Sequence, residues 1–426
     1  MIRIKKIDAL FIVSLVIIFS QYIGVFSLNF YTQYAVAAMW VLYDWMIAIS
    51  NKHRRNNKLD DIEFFKGIFL RPWQVIFVFS ILMFALGRGE NVPLKTYLIN
   101  NVCMQINFLF AFAALRRLKK RTLQDSIAAL IIVFVVVLIK AVIQRGPFVV
   151  FSVAIEILTS LNSTGQNPFE IADCTFAAGL VLLMYIFYGR NKSKKENRYL
   201  FVCAVFILLG FKRIQFLSLA IVVAIGIILM MIKSEIFKNI WMNIFSAITI
   251  AAGSLYVYLL EKDEFIAAWT GLDLGRRRLY MFMNDYYDFT IGYIGRGYGF
   301  SNKFASLNTN FRIIALHSDI LRMFVELGFI GFYIWLIYYL VIARKKITKR
   351  YGIYRGQQYF FMTVYLMVLY FTDNTISYFA SQYFYCILLP SMIMGSEFLM
   401  QRRIANSREG GDKKNESPNI NYNSCF

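Results

Sequence analysis

Long apolar stretches set the fold class of this chain. The first reads ALFIVSLVIIFSQYIGVF over residues 9–26, and comparable runs recur as far as residue 400. About 20 apolar residues cross the roughly 30 Å hydrocarbon core of a bilayer as one helix. The sequence therefore predicts an all-α, polytopic transmembrane protein with about twelve spans. They lie near residues 9–26, 30–50, 73–88, 96–115, 124–143, 169–188, 199–211, 214–232, 240–260, 319–343, 359–373 and 380–400. The first run is too long for a signal-peptide core, so we expect it to be a retained span.

The basic residues follow a topological pattern rather than a nucleic-acid-binding one. The net charge is +21, but lysine and arginine concentrate in short loops such as NKHRRNNK, RRLKKR, GRNKSKKENR and RKKITKR. Loops of this kind stay on the cytoplasmic side and touch anionic lipid headgroups. With the N-terminus inside, every basic loop falls on the same side. We therefore expect a cytoplasmic-membrane protein with both termini in the cytoplasm and no nucleic-acid partner.

The domain organisation is simple. Residues 1–400 form one predicted membrane domain, and the polar segment 401–426 is predicted to be a disordered cytoplasmic tail. Two exterior segments exceed a turn, at about 144–168 and about 261–318, and the second lies between spans nine and ten. The sequence offers no soluble catalytic domain, so any chemistry is expected at a membrane face. The cysteines show no spacing for a metal site or a disulfide framework.

Arginine is concentrated in the larger exterior loop, which reads GLDLGRRRLYMFMNDYYDFTIGYIGRGYGF. Its guanidinium groups suit a phosphorylated or diphosphate lipid, because arginine binds phosphate bidentately and keeps its charge. A further exterior pair, Lys212–Arg213, interrupts an apolar run and favours a ligand role, above all for Arg213. The candidates for diphosphate binding are Arg213, Arg276, Arg277 and Arg296. The alternative is salt bridging within the loop, or snorkelling to headgroups at the hairpin. A metal site at NDYYD lacks a third ligand, and we predict none.

The stretch HSDILRMFVELGFIGFYIW supplies the remaining candidates. His317 is one of two histidines in the chain. It precedes a helix that Ser318 can cap, where a helix N-terminus favours an anion. An imidazole suits a general base, although an isolated histidine is more often structural. Asp319, Arg322 and Glu326 share one helical face and are predicted to line a cavity open to the exterior. Gly328 and Gly331 are predicted to let a neighbouring helix approach.

These residues resemble a known family. The order His317–Ser318, nine residues, Gly328, two residues, Gly331 is similar to the signature of the O-antigen ligase and O-antigen polymerase (Wzy-type) superfamily. The pair Gly275–Arg276, the segment GRGYGF, the hairpin arginine Arg213 and the segment YFTDNT resemble features of the same family. The motifs cover residues about 205–380, and the N-terminal half agrees only in topology. The triplet at 276–278 departs from the family pattern, which leaves its loop arginine ambiguous.

The resemblance implies an inverting glycosyltransferase that needs no metal or other cofactor. Such enzymes move a glycan from undecaprenyl diphosphate to a hydroxyl acceptor. From the residues themselves, we expect His317 to take a proton from a sugar hydroxyl and the arginines to hold the diphosphate. The composition and the segment YFTDNT favour a capsule or exopolysaccharide polymerase, whose acceptor is a second undecaprenyl-diphosphate-linked oligosaccharide. A flippase and a chain-length regulator are implied partners. The alternatives are a ligase, a flippase and a structural export subunit. A flippase is expected to show paired halves and broken helices, which the sequence does not reveal.

Overall fold

The protein is almost entirely helical. A computed structural model describes residues 6–23, 31–50, 58–160, 167–188, 194–268, 276–309 and 315–409. Helices make up 86% of these described residues, and no strand occurs among them. The all-α prediction is therefore confirmed for this part of the chain.

The described residues form seventeen α-helices. They are α1 (Lys6–Phe19), α2 (Thr32–Ser50), α3 (Lys58–Ala85), α4 (Leu94–Leu118), α5 (Thr122–Arg145), α6 (Pro147–Ser160), α7 (Ala172–Tyr188), α8 (Lys194–Gly210), α9 (Arg213–Met231), α10 (Glu235–Leu260), α11 (Asp263–Ala268), α12 (Arg276–Asn284), α13 (Phe300–Asn308), α14 (Asp319–Ile337), α15 (Arg344–Tyr351), α16 (Ile353–Leu369) and α17 (Phe379–Glu409). A π-helical turn, Tyr338–Ala343, joins α14 to α15.

Six helical segments are long and apolar enough to cross a membrane: Asp60–Ala85, Leu94–Leu118, Thr122–Arg145, Arg213–Met231, Glu235–Leu260 and Asp319–Tyr351. Four shorter apolar helices accompany them, at Pro147–Ile157, Asp173–Phe187, Asn197–Gly210 and Phe379–Gly395. Large apolar side chains also point outward, including Phe148 at 88% exposure. An outer surface of this kind suits lipid rather than water. A multi-pass membrane protein is thus supported, while the number of twelve spans stays a prediction.

Three boundaries differ from the sequence-based expectation. α3 begins at Lys58, well before the predicted span at residue 73, because Pro72 is accommodated inside the helix. The exterior segment predicted at 144–168 contains the apolar helix α6. α17 runs on to Glu409, so the start of the predicted disordered tail is helical, and residues 410–426 lie outside the described residues. Helix ends are difficult to read from composition, because a helix continues wherever its backbone bonds are satisfied.

The start of α17 is fixed by a buried carboxylate on α7. Asp173 accepts hydrogen bonds from the backbone N–H groups of Ala380 (2.9 Å) and Ser381 (2.8 Å). These donors lie in the first turn of α17, where they have no partner within the helix. Asp173 therefore caps α17 from outside and holds the preceding loop, residues 370–378, in place.

Candidate functional site

Helix α14 is broken at Gly328, and an irregular segment from earlier in the chain fills the break. Gly328 has φ 74° and ψ 177°, which is not helical. The N–H of Phe329, which follows it, donates to the carbonyl of Tyr293 at 2.8 Å. On the other side of the break, the carbonyl of Glu326 accepts the N–H of Gly297 at 2.7 Å. Residues 293–299, the docking segment from here on, thus replace the missing backbone bonds of the helix.

The contact at this break is between two backbones. A Cβ on Gly328 would lie 2.2 Å from the carbonyl carbon of Ile294, and a Cβ on Gly295 would lie 2.4 Å from the nitrogen of Gly328. The close approach predicted at Gly328 is therefore present, but its partner is the docking segment and not a helix. At Gly331, the only atom of the described residues within 4 Å of an added Cβ is the Cβ of Leu327 in the same helix. The part of the chain that the structure describes therefore shows no neighbouring helix close to Gly331.

Arg322 lies at the centre of a buried ionic cluster. Its side chain is 3% exposed, and its Nε lies 3.4 Å from Glu326 Oε2. Its Nη1 donates a hydrogen bond to Ser377 Oγ at 2.7 Å, and the same nitrogen lies 3.9 Å from Asp319 Oδ1. The guanidinium also lies over the ring of Tyr298, 4.7 Å from its centroid. The common face predicted for Asp319, Arg322 and Glu326 is confirmed.

The cavity predicted for this face is wrong. Both carboxylates are fully buried, and each accepts hydrogen bonds from a separate segment: Asp319 Oδ2 from the N–H of Ile376 (2.6 Å) in the loop 370–378, and Glu326 Oε1 from the N–H and hydroxyl of Ser301 (3.0 and 2.7 Å) in the first turn of α13. Burying charge is tolerated only where it is paired and hydrogen-bonded, and here the partners come from that loop and from α13. The cluster is therefore a structural anchor that binds both segments to α14.

His317 lies just before Ser318, the residue that caps α14, and its backbone has a conformation that few non-glycine residues adopt. Its φ is 48°, in the left-handed region, and its side chain is half-buried. Ser318 caps the helix as predicted, because its Oγ accepts the N–H of Leu321 at 3.2 Å. The backbone N–H of Asp319, the first residue of α14, donates to the carbonyl of Asp373 at 3.3 Å. The loop 370–378 is thus fastened to the helix start beside His317.

Burial lowers the pKa of His317 below its ordinary value of 6.5. The positive charges of Arg276 and Lys212 lower this pKa further, while the carboxylate of Asp373 raises it. The imidazole is therefore neutral at pH 7, and one ring nitrogen is available to accept a proton. Arg276, Lys212 and Asp373 come from three different segments of the chain, and all three act on the pKa of the histidine.

Only the first arginine of the triplet faces His317. Arg276 is half-buried, and it shares a helical face with Tyr280 and Met283, which are buried. Arg277 and Arg278 are exposed on the other side of α12. Of the triplet, Arg276 is therefore the arginine whose charge acts on the pKa of His317, and the diphosphate role expected for Arg277 stays a prediction. The preceding Gly275 lies outside the described residues.

The hairpin between α8 and α9 contributes its lysine. Lys212 forms an ion pair with Glu170 and is near enough to His317 to act on its pKa. Arg213 is exposed at the first position of α9. The cation of this hairpin that acts on the pKa of His317 is thus Lys212, while the ligand role expected for Arg213 stays a prediction. A sequence cannot distinguish two adjacent cations whose orientation depends on how the hairpin closes.

Arg296 has a different role from the predicted one. Its Nη1 pairs with Glu90, and its guanidinium donates to the carbonyls of Tyr286 (3.1 Å) and Arg88 (3.3 Å). These acceptors lie between α3 and α4 and at the end of α12. Arg296 therefore fastens the docking segment to the N-terminal half of the protein, and we leave it out of the ligand site.

Sequence reasoning passed over two members of the site. Asp373 was quoted only as part of YFTDNT, although its carboxylate is held by the N–H of Asn374 (2.8 Å) and the hydroxyl of Tyr378 (2.6 Å). Tyr256 on α10 hydrogen-bonds with Ser318 and Tyr280 and so joins α12 to the start of α14. A carboxylate in the short polar segment between two apolar runs was the available signal for Asp373. Nothing in the sequence distinguished Tyr256 from the other tyrosines.

No family model matches this chain, and no curated protein matches its sequence. The resemblance to the Wzy-type superfamily therefore rests on the spacing of a few residues.

Proposed function

We propose that this protein is a polysaccharide polymerase of the Wzy type. It would transfer a growing glycan from undecaprenyl diphosphate to a hydroxyl of another lipid-linked repeat unit, on the exterior face of the cytoplasmic membrane. The observation that supports this is a neutral, half-buried histidine at a helix N-terminus, beside the cations of Arg276 and Lys212. A base and a diphosphate-binding group are the two functions that this transfer requires.

In this mechanism the imidazole of His317 takes the proton of the acceptor hydroxyl as oxygen attacks the anomeric carbon. The bond from that carbon to the diphosphate oxygen breaks on the opposite face, which inverts the configuration. Arg276 and Lys212 stabilise the negative charge that the departing diphosphate gains. Asp373 stabilises the imidazolium that forms, because its carboxylate raises the pKa of His317.

The same arrangement links substrate binding to basicity. In the free protein the two cations lower the pKa of His317. A bound diphosphate neutralises those cations, so the histidine becomes a stronger base when the donor is in place. A histidine that is neutral before binding and more basic afterwards suits a reaction that must not begin without its donor.

The test compares variants that separate chemistry from folding. His317→Asn removes the base, and asparagine tolerates a left-handed φ better than most residues. Arg276→Ala removes the facing cation, and Arg278→Ala is its matched control on the exposed side of the same helix. We expect cells with the first two variants to lose long polymer and accumulate outward-facing single lipid-linked units, at unchanged protein level. Normal polymer from His317→Asn would refute the role of His317.

A flippase is the second candidate, and one observation favours it. Transporters often build their substrate sites on discontinuous helices, and α14 is discontinuous at Gly328. The two functions leave the lipid-linked unit on opposite faces of the membrane. Units trapped on the cytoplasmic face in His317→Asn cells would indicate the flippase. A ligase would instead leave polymer of normal length that is not attached to its final acceptor.

A further inference from the structure

Phe211 occupies a turn position that normally belongs to glycine. Helix α8 ends at Gly210, and the N–H of Phe211 donates to the carbonyl of Ile207 at 3.2 Å. This bond is typical of a helix followed by a left-handed residue, and Phe211 has φ 38°. A bulky side chain is strained in this region, which glycine adopts freely. The glycine of the turn is needed one position earlier, because a Cβ on Gly210 would lie 2.7 Å from Cγ2 of Thr175.

The surroundings of the turn enforce this conformation. Asn167 Nδ2 donates to the carbonyls of Leu209 (2.8 Å) and Gly210 (3.4 Å), which precede the strained residue. On the other side of the turn, Lys212 forms an ion pair with Glu170. The segment before α7 thus holds the turn at both ends, and a strained backbone persists only where its surroundings hold it in this way.

Core packing does not account for the strain. The ring of Phe211 is half-buried and lies 5.2 Å from the ring of Phe216 on α9, which is also half-buried. Phe216 packs against the buried core, but among the described residues Phe211 is not one of the side chains that do so. The two residues, the ring pair from here on, lie at the start of a helix that is apolar enough to cross a membrane. Strained residues that packing does not explain are common at ligand sites.

The ring pair adjoins a cation of the candidate site. Lys212 follows Phe211 directly, and its charge acts on the pKa of His317. The side chain of Lys212 is 24% exposed, and an ammonium has three donors, so it can bind a phosphate oxygen beside its bond to Glu170. The hairpin therefore presents a phosphate-binding group next to half-exposed phenyl rings.

We propose that Phe211 and Phe216 bind the first isoprene units of a polyprenyl diphosphate whose diphosphate lies at Lys212. In such a lipid the charged group is joined directly to an apolar chain, which matches the order of groups on the hairpin. A sugar site would place hydrogen-bonding groups beside the rings, whereas the next residue on α9 is Leu217, which is 53% exposed. The inference rests on the proposed function, and it adds the residues that distinguish the lipid carrier from a free diphosphate.

The experiment separates the two parts of this ligand. Full-length wild type and variants are purified in one detergent, and the binding of inorganic pyrophosphate and of farnesyl diphosphate is measured by calorimetric titration. Farnesyl diphosphate carries the same charged group on a short prenyl chain. Phe211→Gly is the deciding variant, because it removes the ring and also relieves the left-handed strain. Phe237→Ala is the matched control, because it removes a 59% exposed phenyl ring from α10.

We expect wild type and Phe237→Ala to bind farnesyl diphosphate more tightly than pyrophosphate. Phe211→Gly should bind farnesyl diphosphate about tenfold more weakly, the effect of losing one apolar contact, and should bind pyrophosphate as wild type does. Its thermal stability should equal or exceed that of wild type, because glycine adopts the φ of 38° without strain. Lys212→Gln should weaken the binding of both ligands.

Wild-type binding of farnesyl diphosphate by Phe211→Gly would overturn the ring pair as a prenyl site. Equal weakening of both ligands together with a loss of thermal stability would overturn it as well, because Phe211 would then be structural. A wild-type protein that binds the two ligands equally would overturn the prenyl assignment. Neither readout depends on glycan transfer, so normal polymer from His317→Asn cells would refute the catalytic proposal and leave this site standing.

Discussion

The junction at Gly328 permits a quantitative test of how α14 holds the docking segment. In Gly328→Ala the new Cβ would lie 2.2 Å from the carbonyl carbon of Ile294, 2.5 Å from its oxygen and 2.6 Å from the nitrogen of Gly295. All three atoms are backbone, so no side-chain rotation relieves the overlap. The variant must either distort α14 or move residues 293–299 away.

The expected loss has two parts. A backbone with φ 74° and ψ 177° is adopted almost only by glycine, and any other residue there costs about 1–3 kcal/mol. Steric overlap in a packed interior adds about 1–3 kcal/mol. We therefore expect Gly328→Ala to lower the free energy of unfolding by about 2–6 kcal/mol, from the sum of these terms.

Gly352 provides the matched control. Its φ of 87° and ψ of 168° lie in the same region of the backbone map, yet an added Cβ meets nothing within 4 Å. Gly352→Ala should therefore show only the backbone cost, about 1–3 kcal/mol. Both variants are compared by denaturant unfolding of the purified protein in detergent. Equal losses would refute the argument that the docking segment is held by backbone contact at Gly328.

Three further predictions concern the cluster and the histidine. Arg322→Met leaves two buried carboxylates unpaired and should cost about 3–5 kcal/mol in the same unfolding assay, with the exposed Arg278→Ala as its near-neutral control. With His53→Gln as background, the imidazole NMR titration should show a single histidine, His317, with a pKa below 6.5, and Arg276→Ala should raise that pKa. If His317 is the base, glycan-transfer activity should fall as the pH drops through this pKa. In Arg276→Ala, the residual activity should begin to fall at a higher pH, because the pKa of His317 is then higher. An unchanged titration in Arg276→Ala would contradict the placement of that cation.

Helices that face lipid were the part of the fold most accessible from sequence. The predicted spans 96–115 and 124–143 lie inside α4 and α5, and the predicted span 240–260 ends with α10. A helix must be apolar over its whole length to cross hydrocarbon, so run length alone locates it. α6 was missed because its apolar run is shorter and was taken for part of a loop.

The burial of the cluster at Asp319, Arg322 and Glu326 was not accessible in the same way. Spacing of three and four residues places side chains on one helical face, but it does not say what covers that face. The cover comes from the docking segment and from the loop 370–378, which lies about fifty residues further along the chain. Charges at one end of a membrane helix are equally consistent with a water-filled cavity and with a buried anchor until the covering segments are placed.

The choice among Arg276, Arg277 and Arg278, in contrast, was within reach of the sequence. Tyr280 and Met283 follow Arg276 at steps of four and seven, the spacing of one buried helical face. That periodicity orients Arg276 inward and turns its two neighbours outward. The sequence analysis left the choice open because it treated the triplet as a cluster of charge and not as the first turn of a helix.

The backbone of His317 ties the anchor to the chemistry that we propose. A non-glycine residue at φ 48° is held there only if its surroundings enforce it. The restraints lie on its C-terminal side: the Ser318 cap, the bond from Asp319 to the carbonyl of Asp373, and the buried charges beyond. The carboxylates and Arg322 need not touch a substrate to matter, because they fix the residue that would. Loosening them should therefore impair catalysis and stability together, whereas His317→Asn should impair catalysis alone.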